Sequence, residues 1–143
     1  MIHHEIAVQL GHPVEQVFAF LADTRNLPTW QSDLIEIEQL TAGPLRAGTQ
    51  IREVRRQGPR QAENRAEVQV FEPNKRFALK TTTQPQVTVS YSFQPHQGGT
   101  RLTYEFAMLT SGLMRLLEPL IAGAIKKQSG QDFEKLKQVL AEA

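Results

Sequence analysis

Acidic and basic side chains that could do chemistry are concentrated in one stretch of the chain, from Arg52 to Arg65. Alternate residues of a strand point to the same side of its sheet, so Glu53 and Arg55 point inward if Ile51 does. A buried arginine offers a bidentate clamp for a ligand carboxylate or phosphate, with the glutamate as its partner when no ligand is bound. We favour this register and predict Glu53 and Arg55 as ligand contacts.

Two other interpretations of the same stretch stay open. If Val54 points inward instead, Arg52 and Arg56 do so too, at a greater desolvation cost. The stretch is also typical of a solvated outer face that keeps exposed strands soluble. Its glutamates dilute its positive charge, which argues against a surface for anionic lipid headgroups here.

Two tyrosines, Tyr91 and Tyr104, lie on the apolar faces of neighbouring predicted strands. A buried phenol needs a partner for its hydroxyl. These are either core tyrosines bonded to backbone or water, or cavity residues that bind a ligand or act as the acid in a carbonyl-activating step. Asn64, on the parity of Val68 and Val70, is a third inward polar group. With Arg55 and an acid, such donors would support an aldol-type cyclisation or dehydration.

The last third of the chain, from Thr110 to Ala143, is predicted to be one long helix that positions these groups. Its apolar residues recur at helical spacing in two sets. The stripe fails between the sets, at Gln128, Ser129 and Asp132. Either the helix bends, or it covers a partly open cavity. The first set is Leu113, Leu117, Leu120 and Ala124, the second is Phe133, Leu136 and Leu140, and the candidate bends are Pro119, Gly123 and Gly130.

The elements before this helix are a strand, two short helices and six further strands. Segregated strands with helices at the break and at the end predict an α+β fold. We expect Trp30, at the end of the second helix, to be buried against the sheet. The predicted ranges are a strand Ile2 to Leu10, a helix from Pro13 to about Asp23, a short helix Thr24 to Gln31 with Thr24 as N-cap, and strands Asp33 to Thr41, Thr49 to Arg56, Gln61 to Phe71, Arg76 to Thr83, Gln86 to Gln94 and Thr100 to Leu109.

Four stretches match a known pattern in order and spacing: His12-Pro13-Val14-Glu15-Gln16-Val17-Phe18 with Leu21-Ala22-Asp23, Asn26-Leu27-Pro28-Thr29-Trp30, Phe71-Glu72-Pro73-Asn74-Lys75-Arg76, and Gly98-Gly99-Thr100-Arg101-Leu102-Thr103-Tyr104. Through them nearly the whole chain resembles the START/Bet v1-like (SRPBCC) superfamily, in its polyketide cyclase/dehydrase and lipid-transport group. The resemblance implies a helix-grip fold, with a curved seven-stranded antiparallel sheet around the C-terminal helix. It also implies a cavity for an apolar or amphipathic small molecule, and no single reaction.

Composition and motifs exclude several other classes. The length of 143 residues indicates one domain, spanning residues 1 to 143, and a net charge of +1 gives no support for nucleic-acid binding. The four histidines do not converge, so we expect no metal, and no phosphate loop or nucleophile elbow is present, so we expect no cofactor. No apolar run is long enough for a transmembrane segment, no secretion signal is recognisable, and cysteine is absent, so we expect a cytoplasmic protein.

Three functions remain as hypotheses. The first is binding, or binding and transport, of a hydrophobic small molecule under the last helix; the second is a cofactor-free cyclase or dehydratase in the same pocket. The third is a protein-interaction module, and a homodimer stays open. The predicted ligand contacts are Trp30, Glu53, Arg55, Asn64, Tyr91, Tyr104, Leu117, Ile121 and Gln128.

Overall fold

The computed structural model describes residues 1–142, and its elements follow the predicted order. Seven strands form one antiparallel sheet, in the order β1-β7-β6-β5-β4-β3-β2. The strands are β1 (Ile2–Leu10), β2 (Leu34–Gln39), β3 (Gln50–Gln57), β4 (Arg60–Glu72), β5 (Arg76–Thr81), β6 (Val87–His96) and β7 (Gly99–Met108). The helices are α1 (Val14–Ala22), a 3₁₀ helix (Thr24–Thr29), α2 (Leu113–Leu116) and α3 (Glu118–Glu142). The α+β prediction and the seven strands are confirmed.

The sheet is curved, and its inner face carries the core. Along β6 and β7 apolar and polar residues alternate, so Tyr91, Phe93 and Leu102 point inward and are at most 5% exposed. Helix α1 covers this face with Val17 and Leu21, which are fully buried. The strands, in which every second side chain points inward, thus pack against a helix whose buried residues recur about every 3.6 positions. Together they form one hydrophobic core, as the sequence pattern predicts.

Helix α3 joins this core through its C-terminal half. Phe133, Leu136 and Leu140 recur at helical spacing and are at most 2% exposed. Ser129 and Asp132 are buried with them, so the polar gap in the apolar stripe lies inside the protein. Of the strands, β1 runs nearest to α3.

The prediction of a buried leucine face at the start of this helix is wrong. Leu113 and Leu120 are 72% and 74% exposed, Leu117 is 43% exposed, and Ala124 is exposed as well. Regular spacing shows which residues share a helix face, but it does not show whether another element covers that face.

The predicted helix is also two helices, because α2 ends at Leu116 and α3 begins at Glu118. Pro119 explains the break, since its ring blocks a helix that continues from the preceding turn, whereas the first turn of a new helix tolerates it. Of the three predicted bends, the break next to Pro119 is observed, and α3 runs through Gly123 and Gly130 without interruption. Ala143 lies outside the described residues.

A smaller correction concerns the 3₁₀ helix. Its N-cap is Asp23, whose carboxylate accepts a hydrogen bond from the backbone N–H of Arg25, and not Thr24. Both residue types cap well, so the pattern alone does not separate them. None of the helices in residues 1–142 is long and apolar enough to cross a bilayer.

Trp30 is 2% exposed and its ring centroid lies 5.4 Å from that of Phe133 in α3. We therefore predict that Trp30→Ala lowers the free energy of unfolding by about 3 kcal/mol, the usual cost of truncating a large buried aromatic side chain. Urea unfolding followed by far-UV circular dichroism measures this change. The control is Ile35→Ala, at a position that is 38% exposed, for which we expect a loss below about 1 kcal/mol. Equal losses in the two variants would contradict the packing described here.

Candidate functional site

Arg55 and Glu53 lie on the inner face of β3. Ile51 is 1% exposed, and Arg55 and Glu53 share its side of the strand. The structure thus has the register that we favoured. Arg52 points to the outer face, where it pairs with Glu63 and Glu36.

The guanidinium of Arg55 is bonded by the protein's own side chains. It donates to Asp33 Oδ1 at 3.0 Å, to Gln31 Oε1 at 2.9 Å and to Glu53 Oε2. Burial by itself lowers the pKa of Arg55, but the charges of Glu53 and Asp33 outweigh it and raise the pKa above its ordinary value. Arg55 is therefore a fixed cation, and a ligand carboxylate would have to displace two carboxylates to be clamped by it.

Tyr91 and Tyr104 are neighbours on β6 and β7, with ring centroids 5.3 Å apart. The amide of Gln31 donates to the Tyr91 hydroxyl at 3.4 Å, which connects this phenol to Arg55. Burial raises the pKa of both phenols, and the nearby positive charge of Arg55 offsets only part of that rise. Both hydroxyls therefore stay protonated at neutral pH and keep a proton that they can donate.

Asn64 lies directly across from Glu53 in the β3–β4 ladder and is partly buried. The parity with Val70 that we expected does not hold, because the β4–β5 register shifts between Val68 and Val70. Such a bulge moves the following residues to the opposite face, so Phe71 joins the inner face. Asn64 itself precedes the shift and stays inward.

Asp132 connects α3 to the segment before β2. Its carboxylate accepts hydrogen bonds from the backbone N–H of Ser32 at 3.2 Å and from the Ser32 hydroxyl at 3.0 Å. Burial raises the pKa of Asp132, and the bonds from Ser32 counteract part of this effect. Gln128, one helical turn earlier, is partly buried.

Two buried side-chain polar atoms have no hydrogen-bond partner among residues 1–142, namely Trp30 Nε1 and His4 Nε2. Aromatic contacts connect the two residues through Phe133 and Tyr104, with ring centroids 5.2 to 6.4 Å apart. Burial lowers the pKa of His4, and the positive charge of Lys126 lowers it further, so the imidazole is neutral at pH 7. Unpaired buried polar atoms are rare and call for a partner such as water or a ligand.

Beyond these groups, the inner face is apolar and incompletely covered. Six apolar residues of β6, β7 and α3 are neither fully buried nor fully exposed, and we call this set of residues the groove: Val87, Val89, Phe106, Met108, Ile121 and Ile125. The first four belong to β6 and β7, and Ile121 and Ile125 continue the inward side of α3 at steps of four residues toward Ser129. The predicted contact Ile121 thus borders the groove, whereas Leu117 does not.

Two open depressions lie on other parts of the surface, and of the groove residues only Phe106 also borders one of them, the second. One follows the outer side of α3 around Lys127 and Gln131, and the other lies on the outer face of the sheet around Ser90 and Glu105. In the described part of the chain, no group of three or more His, Asp and Glu side chains is arranged to hold a metal ion.

Some groups of the site were missed by sequence reasoning. Gln31, Ser32 and Asp33 form a polar run directly after the single tryptophan, and a loop gives no periodicity from which their direction could be inferred. His4 was considered only as a metal ligand, although it lies on the same face of its strand as Ile6 and Val8 and therefore points inward.

Comparison with known proteins identifies the family of this chain. A family model described as polyketide cyclase/dehydrase and lipid transport matches residues 1–141. The chain belongs to this family. No curated protein sequence matches this chain.

Several solved structures share the helix-grip fold of this chain. The Thermus thermophilus protein TTHA0849 superposes with a TM-score of 0.83 at 16% identity, over 98% of this chain and 97% of that one. Ara h 8.0201 gives a TM-score of 0.76 at 12% identity, over 99% and 98%. The Mesorhizobium loti protein MLL2253 gives 0.75 at 21% identity, over 99% and 98%. These likenesses show the fold.

The ion pairs of Arg55 lead to a stability prediction. Replacing it in Arg55→Met leaves Glu53 and Asp33 without their cation in a partly buried site, so we expect a loss of about 2 kcal/mol in unfolding free energy. The control Arg56→Met removes an exposed arginine next to it and should change stability by less than about 0.5 kcal/mol. Chemical denaturation measures both variants, and equal effects would show that the cluster contributes nothing.

The raised pKa of Asp132 predicts a pH dependence. The folded state binds this proton more tightly than the unfolded state, so the cost of burying the carboxylate appears as pH rises above the ordinary value of 3.8 and is complete above the raised pKa. Asp132→Asn keeps an acceptor for Ser32 and removes that cost. Its stability relative to the wild type should therefore be greater at about pH 7.5 than at about pH 4.5.

Asp23 provides a control because its pKa is shifted in the opposite direction from that of Asp132. The side-chain bond from Arg25 lowers the pKa of Asp23, so its stabilising contribution is present at neutral pH and is lost as pH falls. Because this loss occurs below the ordinary value of 3.8, Asp23→Asn should have nearly the same stability relative to the wild type at about pH 7.5 and at about pH 4.5, unlike Asp132→Asn. Melting temperatures at both pH values measure the two variants, and the same pH trend in both would contradict these assignments.

Proposed function

We propose that this protein binds an amphipathic small molecule with an uncharged polar group, in the groove between β6, β7 and the first half of α3. The observation that carries the proposal is the incomplete burial of the six groove residues, all of which are apolar. Water against such a surface is replaced favourably by an apolar guest. The family description, which includes lipid transport, supports the same class of ligand.

The unpartnered atoms support an uncharged polar end on the ligand. Trp30 Nε1 is a donor alone, so it fits a carbonyl or hydroxyl oxygen. The neutral imidazole of His4 accepts or donates at Nε2, depending on its tautomer, and thus fits a hydroxyl. Tyr104, in contact with the His4 ring, adds a protonated phenol.

The charges of the cluster argue against an anionic ligand. Around Arg55 stand Glu53 and Asp33, and Asp132 lies on the facing helix, so carboxyl groups outnumber the single guanidinium. Bringing a further carboxylate or phosphate into this partly buried region would cost desolvation without a free cation to bind it. We therefore replace the clamp that we first considered with a neutral hydrogen-bonding end.

A second candidate function is a cofactor-independent cyclisation or dehydration in the same groove. The favouring observation is the position of Tyr91 and Tyr104, two protonated phenols beside the Arg55–Glu53 pair. Such donors polarise a carbonyl, and Glu53 would accept the proton from the adjacent carbon. Turnover of a poly-β-ketone mimic that is lost in Glu53→Gln, with folding retained, would establish this activity.

The binding proposal is tested with Nile red, a neutral apolar dye with a carbonyl group. We expect saturable binding with a blue-shifted emission, and a loss of at least about tenfold in affinity for Phe106→Glu, because a charge on the groove wall is costly to desolvate. The matched control is Ala107→Glu, one residue away on the outer face of β7. No saturable binding by the wild type, or equal losses in both variants, would refute the proposal.

A further inference from the structure

A set of leucines at the beginning of the C-terminal helices is exposed to solvent. Leu113, Leu116 and Leu120 are 72%, 77% and 74% exposed, and Leu109 and Leu117 are 49% and 43% exposed. We call these five residues the leucine surface. Single exposed leucines are ordinary, but five within twelve residues of chain form a concentrated apolar surface, which is typical of an interaction site.

Leu120 of this surface lies on the side of α3 away from the groove. The inward side of α3 carries Ile121 and Ile125, and Leu120 lies on the opposite side of the helix, in line with Lys127 two turns later. A ligand in the groove would therefore not bury Leu120. The folded core also does without the leucine surface, because α3 joins it through Phe133, Leu136 and Leu140.

The charges around the leucine surface are positive. Between Leu109 and Lys127 the sequence holds three basic residues, Arg115, Lys126 and Lys127, and all three are exposed. Its one acidic residue, Glu118, accepts a hydrogen bond from Thr110 and pairs with the chain's amino terminus. Within residues 1–142 none of the three basic side chains forms a salt bridge. Exposed leucines near basic side chains are typical of helices that lie in the interface of a membrane.

We propose that the leucine surface docks on an anionic lipid bilayer. The leucines enter the boundary between headgroups and acyl chains, while Arg115, Lys126 and Lys127 bind lipid phosphates. This commitment follows from charge complementarity. A second copy of the chain on the same surface would bring equal basic groups face to face across a two-fold axis, which is unfavourable.

Docking in this way places the groove beside the bilayer. Ile121 and Ile125 border the groove on the inner side of the same helix whose outer side carries Leu120. If the groove binds an apolar ligand, as the proposed function holds, the ligand would pass between bilayer and groove across one helix. The docking itself depends on the leucines and the charges, and not on that function.

Sedimentation with lipid vesicles tests the docking. The intact protein should pellet with vesicles of phosphatidylcholine and phosphatidylglycerol, much less with phosphatidylcholine alone, and less again at high salt. Leu116→Ser/Leu120→Ser should lower the vesicle affinity at least about tenfold, because two leucines leave the interface. Its control is Leu40→Ser, a leucine after β2 that is 42% exposed, which should bind as the wild type does.

A second variant checks the electrostatic part. Each basic residue near an anionic surface is worth about fivefold in affinity, so Lys126→Glu/Lys127→Glu should lose more than tenfold in vesicle affinity.

The groove variant Phe106→Glu should still pellet with the vesicles, which separates failure of the docking from failure of ligand binding. Absence of vesicle binding, or equal binding by wild type and the leucine variant, would overturn the proposal. So would a dimer in light scattering that the leucine variant abolishes, since a second copy would then cover this surface.

Discussion

The carboxylate of Asp132 accepts two hydrogen bonds from Ser32, one from its backbone N–H and one from its hydroxyl, and so fastens α3 to the segment that precedes β2. After this point Phe133, Leu136 and Leu140 pack into the core, whereas the apolar residues of α3 before it are exposed or only partly buried. The α3 residues of the groove, Ile121 and Ile125, and the exposed leucines all precede this point in the chain. Burying the Asp132 carboxylate costs free energy. The two hydrogen bonds from Ser32 offset part of this cost and also hold the helix in place.

The segment from Trp30 to Asp33 connects the remaining parts of the site. Trp30 packs on Phe133, Gln31 bridges Arg55 and Tyr91, Ser32 bonds Asp132, and Asp33 pairs with Arg55. Four consecutive residues thus contact helix α3 and strands β3 and β6. Because the ionic groups are bonded to one another, the hydrogen-bonding capacity left for a guest belongs to the neutral groups, Trp30 and His4, that lack partners in the described chain.

How far the sequence predicts this arrangement depends on the kind of signal. Strand alternation is local, so the inward direction of Tyr91, Tyr104 and Arg55 could be predicted from parity with neighbouring apolar residues. The bulge after Val68 is set by pairing with β5, and a single strand carries no sign of it.

The predicted C-terminal helix shows most clearly what residue periodicity does not predict. Leu113, Leu117 and Leu120 have the same periodicity as Phe133, Leu136 and Leu140, yet one set is exposed and the other is buried. Periodicity identifies a shared face, and burial depends on which elements lie opposite, which only the assembled fold determines. The roles of Gln31, Ser32 and Asp33 were hidden for a related reason, since each makes its contacts through tertiary structure.

The central claim, that an amphipathic guest binds under the first half of α3, is tested most directly by methyl NMR. In a titration with 1-naphthol, the methyl signals of Val87, Val89, Ile121 and Ile125 should shift together and saturate, while those of the core residues Val17 and Val68 stay in place. Shifts confined to the outer leucines, or no saturable shifts at the groove methyls, would contradict the account.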